Sequence, residues 1–273
     1  MSFSALLPST GYSGWVYLQR TADSQMSRLS ADAAFRREEA HFREKIAGID
    51  TAEELVADRQ LLKVALGAFG LGADLPNVYF IRKVLEDGTL SVDALSTKLA
   101  DKTYASLSSE FGFGDFATPR TKLSDFADGL IEKYRARRFE EAVGEQDESL
   151  RLALNADREL TALAKKSNSV DSKWYAILGN TALRKVFETA FSLPTSFGSI
   201  DLDQQLSVMK QKAEDLLGSE DPASLADESS REALIRRFLV MDETASLRQA
   251  QSQSGAVQLL SQTVSFLRDL RDN

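Results

Sequence analysis

The 273-residue chain has no cysteine, only one histidine (His41) and five prolines. Without cysteine there is no disulfide framework, no thiolate metal site and no cysteine nucleophile, although the redox compartment stays open. A single histidine excludes multi-histidine metal sites and confines any Ser-His-Asp triad to His41. Long hydrophobic runs are also missing, and none approaches the roughly 20 apolar residues that cross a bilayer as a helix, so no membrane insertion is expected. The stretch Met1–Leu7 lacks the basic segment of a secretory signal. The expectation is a cytoplasmic chain, with export by a flagellar-type apparatus as the alternative that these criteria do not detect. A basic surplus is absent too. Against 41 acidic residues stand 33 Lys and Arg, and the formal charge of −8 repels phosphate backbones, which makes nucleic acid an unexpected partner.

What is present is an ordinary globular composition, long enough to bury a core without a cofactor, and none is expected. Apolar residues recur at helical spacing from Ala31 onward: Phe35, Phe42, Ile46 and Ile49 lie among charged neighbours. Thr51 and Glu54 form a capping-box pattern that opens a helix bearing Leu55, Leu61, Leu62, Ala65, Leu66 and Phe69, with Gly70 as its stop. Leu75-Pro76 restarts helix as far as Gly88, and Ser91 is the expected cap for a helix carrying Leu95 and Leu99. The set Leu123, Phe126, Ala127, Leu130, Ile131 and Tyr134 predicts a long helix that reaches Val143. Further helices are expected over 150–163, over 174–191, behind Asp201, behind Ser229, and over the C-terminal residues from Val257. No stretch alternates with the two-residue period of a strand. The fold class is therefore all-α and multihelical.

An internal match divides the chain. LLKVALGAFGL (61–71) aligns with LRKVFETAFSL (183–193) at a constant offset of 122, and a proline-containing loop follows each. Two pseudo-repeated helical units are expected, 25–144 and 145–241. A loose N-terminal arm (1–24), anchored on the body by Trp15–Leu18, precedes them, and a polar spacer with a last helix (242–273) follows.

The residues offer little chemistry. His41 sits among Glu38, Glu44, Arg37 and Lys45 at helical spacing, which describes a solvated face. Gly67, Gly70 and Gly72 lack the strand and the lysine-serine pair of a phosphate loop, so they read as helix terminators. Asp201 and Asp203 lack the later glycine and glutamate of a calcium loop and read as caps. The basic pairs and clusters Arg36/Arg37, Arg135/Arg137/Arg138, Lys165/Lys166 and Arg236/Arg237 each lie among acids, as salt-bridged helix surfaces do. No catalytic, cofactor or metal residue is assigned. An enzyme built from convergent carboxylates remains the least favoured class.

The last helix is the candidate interaction site. Val257, Leu260, Val264 and Leu267 make a 3-4-3 seam, which Leu259, Phe266 and Leu270 widen beyond a strict two-stranded coil. Two covers are open to it: the protein's own body, or a partner helix or groove.

Four segments carry a family resemblance: DRQLLKVALGAFGL (58–71), YFIRKVLEDG (79–88), ALSTKLADKTYASLSSEFGF (94–113) and WYAILGNTALRKVFETAFSLPTSFGSIDLDQQL (174–206). Over residues 30–240 they resemble the alphaproteobacterial domain-of-unknown-function family 1217, a multihelical group with internal duplication found among flagellar genes. The resemblance implies a motility-associated protein with other proteins, flagellar components among them, as partners, and it supplies no activity or ligand residue. The reading that follows is a non-enzymatic helical scaffold or adaptor. An exported flagellar structural or cap-like component is the alternative.

Overall fold

In the computed structural model of the protein, the backbone is described from residue 3 to residue 271 and the side chains from residue 3 to residue 250. Among the described residues the regular structure is helical throughout, without a strand. In chain order the helices are α1 (Gly11–Ala31), α2 (Ala33–Lys45), α3 (Ala52–Ala57), α4 (Arg59–Ala68), α5 (Val78–Asp87), α6 (Leu95–Lys98), α7 (Thr103–Phe111), α8 (Phe126–Gly144), α9 (Glu148–Ala164), α10 (Val170–Leu178), α11 (Thr181–Ala190), α12 (Leu202–Leu217) and α13 (Glu228–Arg271).

Capping chemistry sets many of these boundaries. Thr51 and Glu54 form the expected reciprocal box at the start of α3. Asp32, Asp147, Ser169 and Asn180 each accept a backbone amide in the first turn of the helix they open. Gly112 and Gly218 end α7 and α12 in the left-handed conformation.

Several boundaries differ from the sequence reading. The helix expected from Thr51 to Gly70 is two helices. Asp58 takes an extended backbone conformation between them, and its carboxylate accepts from Gln60 and Leu61 to start α4. The expected 174–191 helix is likewise split, because Asn180 caps a fresh start. Leu123 lies before α8 and is exposed, so the periodic set there begins at Phe126. Ser91 binds the amide of Asp93, while the short α6 begins at Leu95 and ends before Leu99. At α13 the cap is Asp227, which accepts from the Ser230 amide, in place of Ser229.

The two ends of the chain show the largest corrections. Residues 11–24, expected as part of a loose arm, are the first two-thirds of α1, and Trp15 and Leu18 are buried. Tertiary burial at one face outweighs the glycine and serine content. The expected spacer from Asp242 to Gly255 is continuous helix within α13. It contains Ala, Gln, Glu, Arg and Leu without proline, and a polar composition does not itself interrupt a helix.

Helix α4 is buried on most of its circumference (Leu61, Leu62, Val64, Ala65, Leu66, Ala68) and packs against α8, α2 and α3. Helix α11 is held in a similar way by α13, α9 and α10. Helices α8 and α9 join the two neighbourhoods, and one contiguous apolar cluster runs through both, from Ala5 to Leu239. The α8–α9 seam also contains charge. Buried Glu140 accepts from Arg137 at 3.1 Å and from Arg158 at 2.7 Å, and Glu159 binds Arg137 at 3.0 Å. The side-chain amide of buried Asn155 faces both guanidinium groups, and with its oxygen turned toward them it can accept from Arg137 and Arg158. Paired in this way the charges are tolerated, whereas removing one would strand its partner in a low-dielectric seam.

Candidate protein-interaction surfaces

The first half of α13 is gripped by several elements. Leu234, Ile235, Phe238 and Leu239 are buried against the body. On one side Glu232 accepts three hydrogen bonds from α1: Trp15 Nε1 at 2.7 Å, Tyr12 Oη at 3.0 Å and Gln19 Nε2 at 3.1 Å. The bond to Glu232 raises the Tyr12 hydroxyl above its ordinary pKa. Arg236 lies over the Tyr12 ring with 5.1 Å to the centroid. On the opposite sides, Arg231 binds Asp157 of α9 at 3.0 Å, Arg237 donates to the Ala190 carbonyl at the end of α11 at 2.7 Å, and Ser149 donates to Asp242 at 2.6 Å.

Beyond this root the surroundings change. Every residue from Ala245 to Ala250 is exposed, and Leu247 keeps 61% of its surface in solvent. The helical backbone continues to Arg271. The sequence-identified seam Val257, Leu260, Val264 and Leu267, with Leu259, Phe266 and Leu270, falls in this part of α13, and its side chains lie outside the described residues.

A second surface is formed by two loops that the sequence reading did not connect. Asp115 Oδ1 accepts from the amides of Thr89 at 2.6 Å and Leu90 at 3.1 Å, while Oδ2 accepts from the Thr89 hydroxyl at 2.8 Å. The chains touch backbone to backbone here: a Cβ on Gly114 would lie 2.3 Å from the Glu86 carbonyl oxygen. The closed loops present Leu90 (76% exposed), Val92 (87%) and Phe116 (49%), with Arg120 over the Phe116 ring. Taken locally, Gly112-Phe113-Gly114 is no more than the glycine stop that ends α7. The contact that gives it meaning bridges 26 positions.

Several of the polar candidates have structural partners. His41 Nε2 lies 2.7 Å from Asp58 Oδ2, at a shallow depression of about 650 Å³ that Glu54, Arg59 and Gln60 also line. Partial burial raises the Asp58 carboxyl. The Leu61 amide, His41 and the Gln60 amide outweigh that and hold it below its ordinary pKa. This is the chemistry of a helix cap. Gly70 closes α4 at φ 75°, but Gly67 lies inside the helix beneath the Tyr134 ring, so close packing, and not termination, explains it. Asp201 caps the Asp203 amide, and Asp203 accepts from the Tyr175 hydroxyl. Arg138 pairs with Glu141, and Arg135 approaches Glu39 at 3.8 Å. Among the described residues, no cluster of three or more carboxylate or histidine groups could hold a metal, and no helix is long and apolar enough to cross a membrane.

A model of the family described as "Protein of unknown function (DUF1217)" matches residues 68–225, more than half of the chain. The chain is also similar to a solved structure, the X-ray crystal structure of Protein AGR_C_984 from Agrobacterium tumefaciens. The identity is 25% and the TM-score 0.71, and the similarity covers 88% of this chain and 98% of that one. No curated protein matches.

Proposed function

The chain belongs to the DUF1217 family of proteins of unknown function, and from that premise we propose that it is a non-enzymatic helical scaffold or adaptor acting in flagellar function. The observation that carries the adaptor reading is the environment of α13. Its root is fixed by Glu232, Arg231, Arg237 and Asp242, and residues 245–250 are exposed while the same helix continues toward an apolar seam. A helix rooted in a packed body holds its far segment at low conformational cost, which favours engagement of another protein. The flagellar setting is carried by the resemblance of the four sequence segments and adds the class of partner: proteins of the motility apparatus.

The test is affinity capture from motile cells with the full chain and with a chain lacking residues 255–273. The full chain should co-purify flagellar proteins. The shortened chain should lose them while keeping most of its helicity by far-ultraviolet circular dichroism and its melting temperature. Equal capture by both would overturn the role given to α13. Global unfolding of the shortened chain would show that the seam covers the protein's own body.

A further inference from the structure

We draw no further inference here: the strongest candidate, the exposed apolar cluster of Leu90, Val92 and Phe116 on the two loops closed by Asp115, carries none because nothing in the structure shows what covers it.

Discussion

Gly70 and Ser192, 122 positions apart, close α4 and α11 with the same left-handed turn, at φ 75° and 55°. The hydrogen bonds correspond as well. Leu71 donates to the Leu66 carbonyl at 2.9 Å and Leu193 to the Glu188 carbonyl at 2.8 Å, the six-to-one bond of a Schellman ending. The starts correspond through Asp58 and Asn180, whose side chains accept from Leu61 and Leu183. The aligned segments therefore share a local structure from cap to cap. Ser192 is the only non-glycine residue at positive φ among the described residues, so this copy of the turn bears a strain that its counterpart avoids.

Ser192→Gly should therefore stabilise the protein by about 1 kcal/mol, since an L-residue in this conformation costs roughly that amount. The melting temperature should rise by about 2–4 °C for a chain of this size. Gly70→Ala should move it in the opposite direction. Thermal unfolding of the two variants checks the pair, and a Ser192→Gly protein that melts no higher than wild type would contradict the assignment of strain.

Two helical glycines should respond to alanine with opposite signs. A Cβ at Gly67 would lie 2.5 Å from the Tyr134 ring, which is buried, stacked on Phe35 and bonded to Glu38 at 2.6 Å. Gly67→Ala should cost about 1–3 kcal/mol, as overpacking does. Gly129 is exposed in α8 with no atom near an added Cβ, so Gly129→Ala should stabilise by about 0.5–1 kcal/mol. Denaturant titrations of both variants provide the comparison, and stabilisation by Gly67→Ala would refute the close approach.

Glu232→Ala should loosen α1 from α13. Three donors lose their acceptor, and one of them, the Trp15 indole, is in a buried side chain, so a loss of about 1–3 kcal/mol is expected. Glu232→Gln retains one oxygen acceptor and should cost less. Exchange of the Trp15 indole proton with deuterium should accelerate in the same order. Unchanged protection in the alanine variant would show that α1 is held by its apolar face alone.

The pH dependence of stability should carry a contribution from Asp58. Its carboxyl is held below the ordinary value of 3.8, so the folded state binds this proton more weakly than the unfolded chain does. That contribution is present above about pH 4 and is lost as the pH falls through the depressed folded value. Asp58→Asn can still cap α4 but does not titrate, and its stability should fall less steeply on acidification. Urea midpoints measured from pH 6 down to pH 2.5 test this, and parallel curves for the two proteins would exclude a role for Asp58.

The helix-forming regions were legible because their signals are local. Apolar spacing along α4, α8 and α11, the Thr51–Glu54 box and the stop at Gly70 each act within a few residues. The candidate seam at Val257–Leu270 is a pattern of the same local kind in the sequence, and its side chains lie outside the described residues. The root that holds α13 was not legible. Its acceptor, Glu232, meets Trp15 across 217 positions, and nothing near either residue in the chain marks the pairing. Nor was the Leu90–Phe116 surface, which exists only because Asp115 closes two distant loops.

By itself, then, the sequence determined that this chain folds as helices and where most of their apolar faces and a few of their caps, Thr51 and Asp201 among them, lie, since backbone hydrogen bonding and side-chain periodicity operate over three or four residues. Tertiary structure decided that residues 11–24 become ordered helix, that Leu123 stays outside one, and which side of α13 is covered. Those outcomes depend on burial and on hydrogen bonds between distant residues, whose free energies exceed the small local preferences they override.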